Sequence, residues 1–263
     1  MTAATGRWDD LSIRLISGAG LAGLGIGAMW LGGLWYHVFV SAACALMIWE
    51  LARMLGGGSS CHWPALGAFA VLMVGAELPE GFALPLIVAP ALFRSSGMTG
   101  NRTQYAIYAV AILVAGYGLM HVRDDFGFSW MAWLALVVIA TDIFGYFAGR
   151  LLGGPKIWPK VSPKKTWSGT LAGWIGAAVV SVPFVTNSGV GWELLGIAVA
   201  LSMASQLGDV AESALKRRSG VKDSSALIPG HGGLFDRFDS MLGASVFFLL
   251  IERIVDFPPP PLV

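Results

Sequence analysis

An all-α, polytopic membrane architecture of about nine transmembrane helices is expected from three features of the 263-residue chain. Hydrophobic residues make up 56% and charged residues 13%, about half the charged share of an ordinary globular chain. Mean hydropathy is +0.69, and a soluble globular domain is thereby excluded. Apolar windows of about 20 residues, the length that crosses a hydrocarbon core of roughly 30 Å, recur from end to end. Lysine and arginine also fall almost entirely in one set of alternate loops, as the retention of cations on the cytoplasmic side requires. The 35 glycines and 11 tryptophans suit close helix packing and interfacial anchoring. A net charge of +1 gives no footprint for nucleic acid. Cys44 and Cys61 lack the spacing of a zinc or redox pair and read as apolar filler.

The windows lie near 12–31, 34–52, 63–77, 81–94, 104–120, 128–149, 168–187, 190–213 and 240–256. The first has no small-residue cleavage site closing a short apolar core and reads as a retained span. The third and fourth are short and split by a turn at 77–81, so they form either two spans or one hairpin, and the count is nine or seven. With a cytoplasmic amino terminus, every cation except Arg123 and Arg253 lies inside, while Glu77, Glu80, Asp124 and Asp125 lie outside. The chain then divides into a scaffold of helices over 1–127, suited to lipid access or a dimer contact, and a catalytic region over 128–263. Cytoplasmic loops at 150–168 and 214–239 belong to the second part. The prolines at 258–261 end the last helix.

Near the end of the eighth window, Ser205, Asp209, Glu212, Ser213 and Lys216 share one helical face. A carboxylate at membrane depth is costly without a partner, so Asp209 is a candidate for function; the alternative is a helix-end ion pair with Lys216 or Arg217. Asp142 sits on a face with Tyr146 and Arg150 and follows the same logic, with the alternative, pairing along the helix toward Arg150, stronger here than for Asp209. Ser162, Pro163, Lys164, Lys165 and Thr166 form a basic turn before the seventh window. Lysines, a hydroxyl and free amides at a helix start make a phosphate cradle. Around His231, Gly230, Gly232 and Gly233 let a backbone approach a ligand, and Asp236 and Asp239 fall at i, i+3. Oxygen ligands beside lysines suit a hard cation, Mg²⁺ before zinc or copper. Phosphoryl or nucleotidyl transfer to a lipid fits these elements.

The 27 positions from Ser213 to Asp239 resemble the full signature of the phosphatidate cytidylyltransferases, also called CDP-diacylglycerol synthases. The 162–166 turn and the pattern Asp142, Gly145, Tyr146, Gly149, Arg150 are similar to further motifs of that family, so the resemblance covers 142–239. Ser168 departs from it, since many members carry glutamate there. The resemblance implies transfer of CMP from CTP to phosphatidic acid, giving CDP-diacylglycerol and pyrophosphate. It also implies Mg²⁺ on Asp209 and Asp236, with Asp223, Asp239 and Asp142 as second choices, and a second cation such as K⁺. Asp209, Asp236, Lys216 and His231 would be catalytic. Lys164, Lys165, Lys216, Arg217 and Lys222 would hold the triphosphate and the lipid phosphate. Ser213 and His231 would position them, with Thr166, Gly232, Gly233 and Arg237 completing the binding set. A homodimer in the bacterial inner membrane, its active site cytoplasmic, is the implied setting. Open alternatives are a cytidylyltransferase for another lipid phosphate and an ion or phosphate transporter.

Overall fold

A computed structural model describes residues 5–56, 61–96, 100–255 and 257; the 258–261 prolines lie outside the described residues. Apolar sequence that meets lipid must satisfy its own backbone hydrogen bonds, and the helix does so within one segment. Nine helices form among the described residues: α1 (Thr5–Leu31), α2 (Gly33–Met54), α3 (His62–Gly75), α4 (Glu80–Ser96), α5 (Arg102–Asp125), α6 (Gly127–Leu151), α7 (Trp167–Ser188), α8 (Glu193–Arg218) and α9 (Phe235–Val255). Each overlaps one of the nine apolar windows. The first break needs backbone that L side chains rarely adopt, and Gly32 supplies it at φ 65°.

Six of these helices (α1, α2, α5, α6, α7 and α8) are long and apolar enough to cross a membrane. The protein is therefore an all-α polytopic membrane protein. The 63–94 region folds as two short helices of 14 and 17 residues, and α4 carries Pro85 and Pro90 inside it. At 1.5 Å per residue these reach only about 21 and 26 Å. α9 has 21 residues and carries acids and bases toward both ends.

One local expectation is corrected. Residues 156–166 are not a simple basic turn but an antiparallel hairpin of β1 (Lys156–Trp158) and β2 (Ser162–Thr166). Lys156 pairs with Thr166 and Trp158 with Ser162, and Val161 N–H donates to Trp158 O at 3.1 Å to close the turn. Ile157, Trp158, Val161 and Thr166 are β-formers, while Lys164 and Pro163 suit an unpaired outer edge.

The chain separates into two compact units: Met1–Val114 with Ser219–Phe238, and Ala115–Arg218 with Asp239–Val263. They are not the consecutive stretches 1–127 and 128–263 that hydropathy suggests, because the 219–238 loop is hydrogen-bonded to α2. In the first unit, α2 packs on α1 and α3, and α3 on α4. Met47, Ile48, Leu51, Leu72 and Ile87 are buried there, as are both cysteines, which are free thiols as filler residues would be. In the second unit α6, α7 and α8 pack mutually. Trp133 Nε1 donates to Ser181 Oγ at 2.8 Å, and Thr141 Oγ1 to Ser202 Oγ at 2.7 Å, so buried polar groups between these helices are paired. Glycines set the closest approaches: a Cβ on Gly169 would lie 2.6 Å from Gly145 O, and one on Gly243 would overlap Ala204 O.

Candidate active site

In the second unit, Asp142, Lys164, Lys165, Thr166 and Asp209 line a cavity of about 490 Å³. Three elements supply them, Thr166 being the last residue of β2. Asp142 comes from α6, the lysines from β2, Thr166 from the hairpin's end and Asp209 from α8. Thr166 caps α7: its Oγ1 accepts from Gly169 N–H at 3.2 Å while its backbone stays extended. The cap joins β2 to α7. Ser168, where the family resemblance expects glutamate, donates its hydroxyl to Gly153 O and lies 3.0 Å from Thr166 Oγ1. It thereby ties the end of α7 to the loop before the hairpin.

Lys165 Nζ lies 2.6 Å from Asp209 Oδ2, and Ser213 Oγ donates to Asp209 Oδ1 at 3.3 Å. The helix-end alternative for Asp209 is thus not what forms. Lys216 pairs with Glu212 at 2.5 Å instead, and the lysine for Asp209 comes from the hairpin. Nor does Asp142 pair along its helix with Arg150, whose Nη1 donates to Tyr146 Oη at 2.7 Å. Asp142, Asp209 and Asp239 interact by like charge, with Lys165 and Lys216 as the opposing charges. The approach of Asp239 follows from packing: a Cβ on Gly208 would overlap Asp239 O, so α8 and α9 cross backbone to backbone there. Three acids against two lysines, one of them already paired with Glu212, is a setting that attracts a further cation.

The first unit holds the glycine loop. Asp236 Oδ2 accepts from Ser224 N–H at 2.8 Å, Ser224 Oγ at 2.9 Å and Gly233 N–H at 2.8 Å. Ile228 N–H donates to Gly232 O, and His231 N–H to Ile228 O, which closes the loop on itself. Ser17 Oγ on α1 lies 2.9 Å from His231 Nδ1 and donates to Pro229 O at 3.1 Å. Arg237 Nε donates to His231 O at 3.1 Å. Gly230 and Gly232 have φ of 74° and 84°. A Cβ at Gly233 would overlap Ser224 Oγ and the Glu50 carboxylate. The glycines expected to admit a ligand thus also admit neighbouring side chains of the same unit.

Among the expected residues, the second unit brings together Asp142, Lys164, Lys165, Thr166, Asp209, Ser213, Lys216 and Asp239. The first gathers His231, Gly232, Gly233, Asp236 and Arg237. Lys222 and Asp223 also lie on this loop, exposed, while Arg217 is exposed at the end of α8 in the second unit. Sequence reasoning missed Ser17 and, above all, Glu50. The signal for Glu50 was present, since an acid inside an apolar span is a functional candidate by default.

Fold and site together define a class, the polytopic membrane nucleotidyltransferases. A model of the cytidylyltransferase family matches residues 12–255, and the chain belongs to that family. The chain is 38% identical over 201 residues to a phosphatidate cytidylyltransferase of Brucella suis biovar 1 (strain 1330), covering 74% of this chain and 73% of the relative. A phosphatidate cytidylyltransferase of Staphylococcus saprophyticus is 40% identical over 141 residues, 52% of this chain and 54% of its own.

Proposed function

We propose that the protein transfers the cytidylyl group of CTP to phosphatidic acid, releasing pyrophosphate and leaving CDP-diacylglycerol in the membrane. The observation that carries this reading is the cavity where Lys164 and Lys165 stand over Asp142 and Asp209 in a helical membrane protein of the cytidylyltransferase family. A phosphate oxygen of the lipid attacks the α-phosphorus of CTP, the new P–O bond forms, and the α–β anhydride bond breaks with its electrons on pyrophosphate. The second pKa of a phosphate monoester is about 6, so the nucleophile is largely anionic at neutral pH and needs no strong base. Charge neutralisation is the main task left to the protein. Lys164 and Lys165 bind phosphate oxygens, and Asp209 holds Lys165 in place through their ion pair.

The donor set fits Mg²⁺, because Asp142, Asp209 and Asp239 are hard oxygen ligands crowded by like charge. Among the described residues no three acids, histidines or cysteines are gathered to hold a metal ion. Mg²⁺ does not call for that, since it is commonly held by one or two carboxylates together with substrate phosphates and water. When bound, Mg²⁺ supplies Lewis-acid neutralisation of the triphosphate. Asp236 is also assigned to metal in this proposal, although its Oδ2 is committed to Ser224 and Gly233; retained turnover in folded Asp236→Asn would remove it. K⁺ as a second cation, a homodimer and an inner-membrane setting with a cytoplasmic active site complete the proposal.

The test is conversion of CTP and phosphatidic acid by purified protein in detergent micelles, with and without Mg²⁺. Metal-dependent formation of CDP-diacylglycerol and pyrophosphate is expected. Folded protein that makes neither product under any divalent metal refutes the proposal.

A further inference from the structure

Glu50 sits on α2, where the sequence around it (Met47, Ile48, Trp49, Leu51) is apolar, and it is fully buried. A buried carboxylate is strongly unfavourable unless donors replace the lost water. Four donors do so, all from the glycine loop and the start of α9. Ser225 Oγ at 2.6 Å and Leu234 N–H at 2.9 Å reach Oε1; Phe235 N–H at 2.7 Å and Ser224 Oγ at 3.1 Å reach Oε2. The two amides lie at the start of α9, Leu234 just before it and Phe235 its first residue, where an anion also meets the positive end of the helix dipole.

We propose that Glu50 is a positioning residue: its carboxylate on α2 fixes the 222–236 loop and the start of α9, and through them the loop groups that serve cytidylyl transfer. This rests on the function proposed above. The route to the loop's own acid is short. Ser224 has one hydroxyl hydrogen and stands between two carboxylates, Glu50 at 3.1 Å and Asp236 at 2.9 Å. Gly233 lies against the same pair, its amide on Asp236 and its α-carbon too close to Glu50 for any side chain. Asp236 and the loop glycines therefore take their places relative to a carboxylate 174 or more positions earlier in the chain.

The geometry distinguishes an acceptor role from mere filling of space. A glutamine at position 50 keeps the shape, but its NH₂ group must face one of the two backbone N–H donors whichever way the amide is turned. A hydroxyl can reverse its hydrogen bond; a backbone N–H cannot. An aspartate is shorter by one methylene yet keeps two acceptor oxygens. If Glu50 only filled space, Glu50→Gln would be the milder change. If it positions the loop as an acceptor, Glu50→Asp is the milder one.

The experiment compares full-length wild type, Glu50→Gln and Glu50→Asp in detergent, reading kcat and KM for CTP, thermal unfolding, and the rate of trypsin cleavage after Lys222. In Glu50→Gln, kcat should fall by roughly 30- to 100-fold and cleavage should quicken by about tenfold or more, as expected for one or two orphaned buried donors. Glu50→Asp should recover part of both. A Glu50→Gln protein within twofold of wild type in kcat and cleavage overturns the proposal, and so does a Glu50→Asp protein worse than Glu50→Gln in both. Should Glu50→Gln fail to fold, Ser225→Ala removes one donor alone; unchanged cleavage and kcat in that variant overturn the proposal equally. The cleavage arm needs no turnover. A wild type that makes no product while Glu50→Gln is cut faster refutes cytidylyl transfer and leaves the anchoring of the loop standing.

Discussion

Glu50 in the first unit has four donors within hydrogen-bond reach and is fully enclosed, whereas Asp142 in the second lines an open cavity and its carboxylate forms no hydrogen bond among the described residues. Both lie in apolar helices. The same functional group is used in opposite ways: a saturated carboxylate is an anchor with no valence left for a ligand, while a crowded, under-paired one leaves its oxygens open to a cation. Asp209 stands between these extremes, with Lys165 on one oxygen and Ser213 on the other. Acidity inside a membrane helix does not by itself distinguish architecture from chemistry. The count and origin of the donors does.

The largest effect that sharpens this contrast is expected from Asp209→Asn. Turnover should drop by about three orders of magnitude with the unfolding temperature nearly unchanged, because in the proposed function the carboxylate holds Lys165 and Mg²⁺ for the phosphates rather than serving packing. A folded Asp209→Asn enzyme within tenfold of wild type would place Asp209 with the anchors. Lys165→Met should lower turnover by about 100-fold and raise KM for CTP, as the loss of one charge-assisted contact to a phosphate predicts. If KM and turnover hold while stability falls, the ion pair with Asp209 is structural.

In the first unit the expected response is reversed. Gly233→Ala places a methyl group against Ser224 and Glu50 and should destabilise the protein by about 1–3 kcal/mol, seen as a lower unfolding temperature before any kinetic measurement. An unchanged melt would mean that the loop can move aside and that Glu50 is less rigidly enclosed than its hydrogen bonds indicate. Smallest is Thr166→Val, which removes the cap of α7 and should cost about 1 kcal/mol with turnover reduced less than tenfold. A much greater loss of turnover would move Thr166 from the frame of the site into direct contact with phosphate.

How much of this could be read from the sequence depended on whether the signal was local. Helix positions followed from apolar runs and their breaks, as in Gly32 between α1 and α2. Lys164, Lys165 and Asp209 were found as separate motifs; Lys165 and Asp209 form an ion pair, and Lys164 lines the same cavity. The hairpin was missed because Ser162, Pro163 and the lysines look like a turn when Lys156 to Trp158 are not seen as their partner. The two-unit grouping was missed because its evidence lies in bonds between positions 50 and 224 to 235. Composition along the chain carries no trace of such bonds. The metal assignments rest on charge and family resemblance alone.

The crossing of α8 and α9 at Gly208 and Gly243 bears on motion. With no side chain at the contact, no rotamer can turn to let the helices slide, so the spacing between Asp209 and Asp239 is set by backbone and resists thermal spreading. Lys165, on a four-carbon stem from an edge strand, is the compliant member of the same group. Under the proposed function, adaptation to an arriving nucleotide falls to the lysine, and the acids act as the fixed jaw against which it closes.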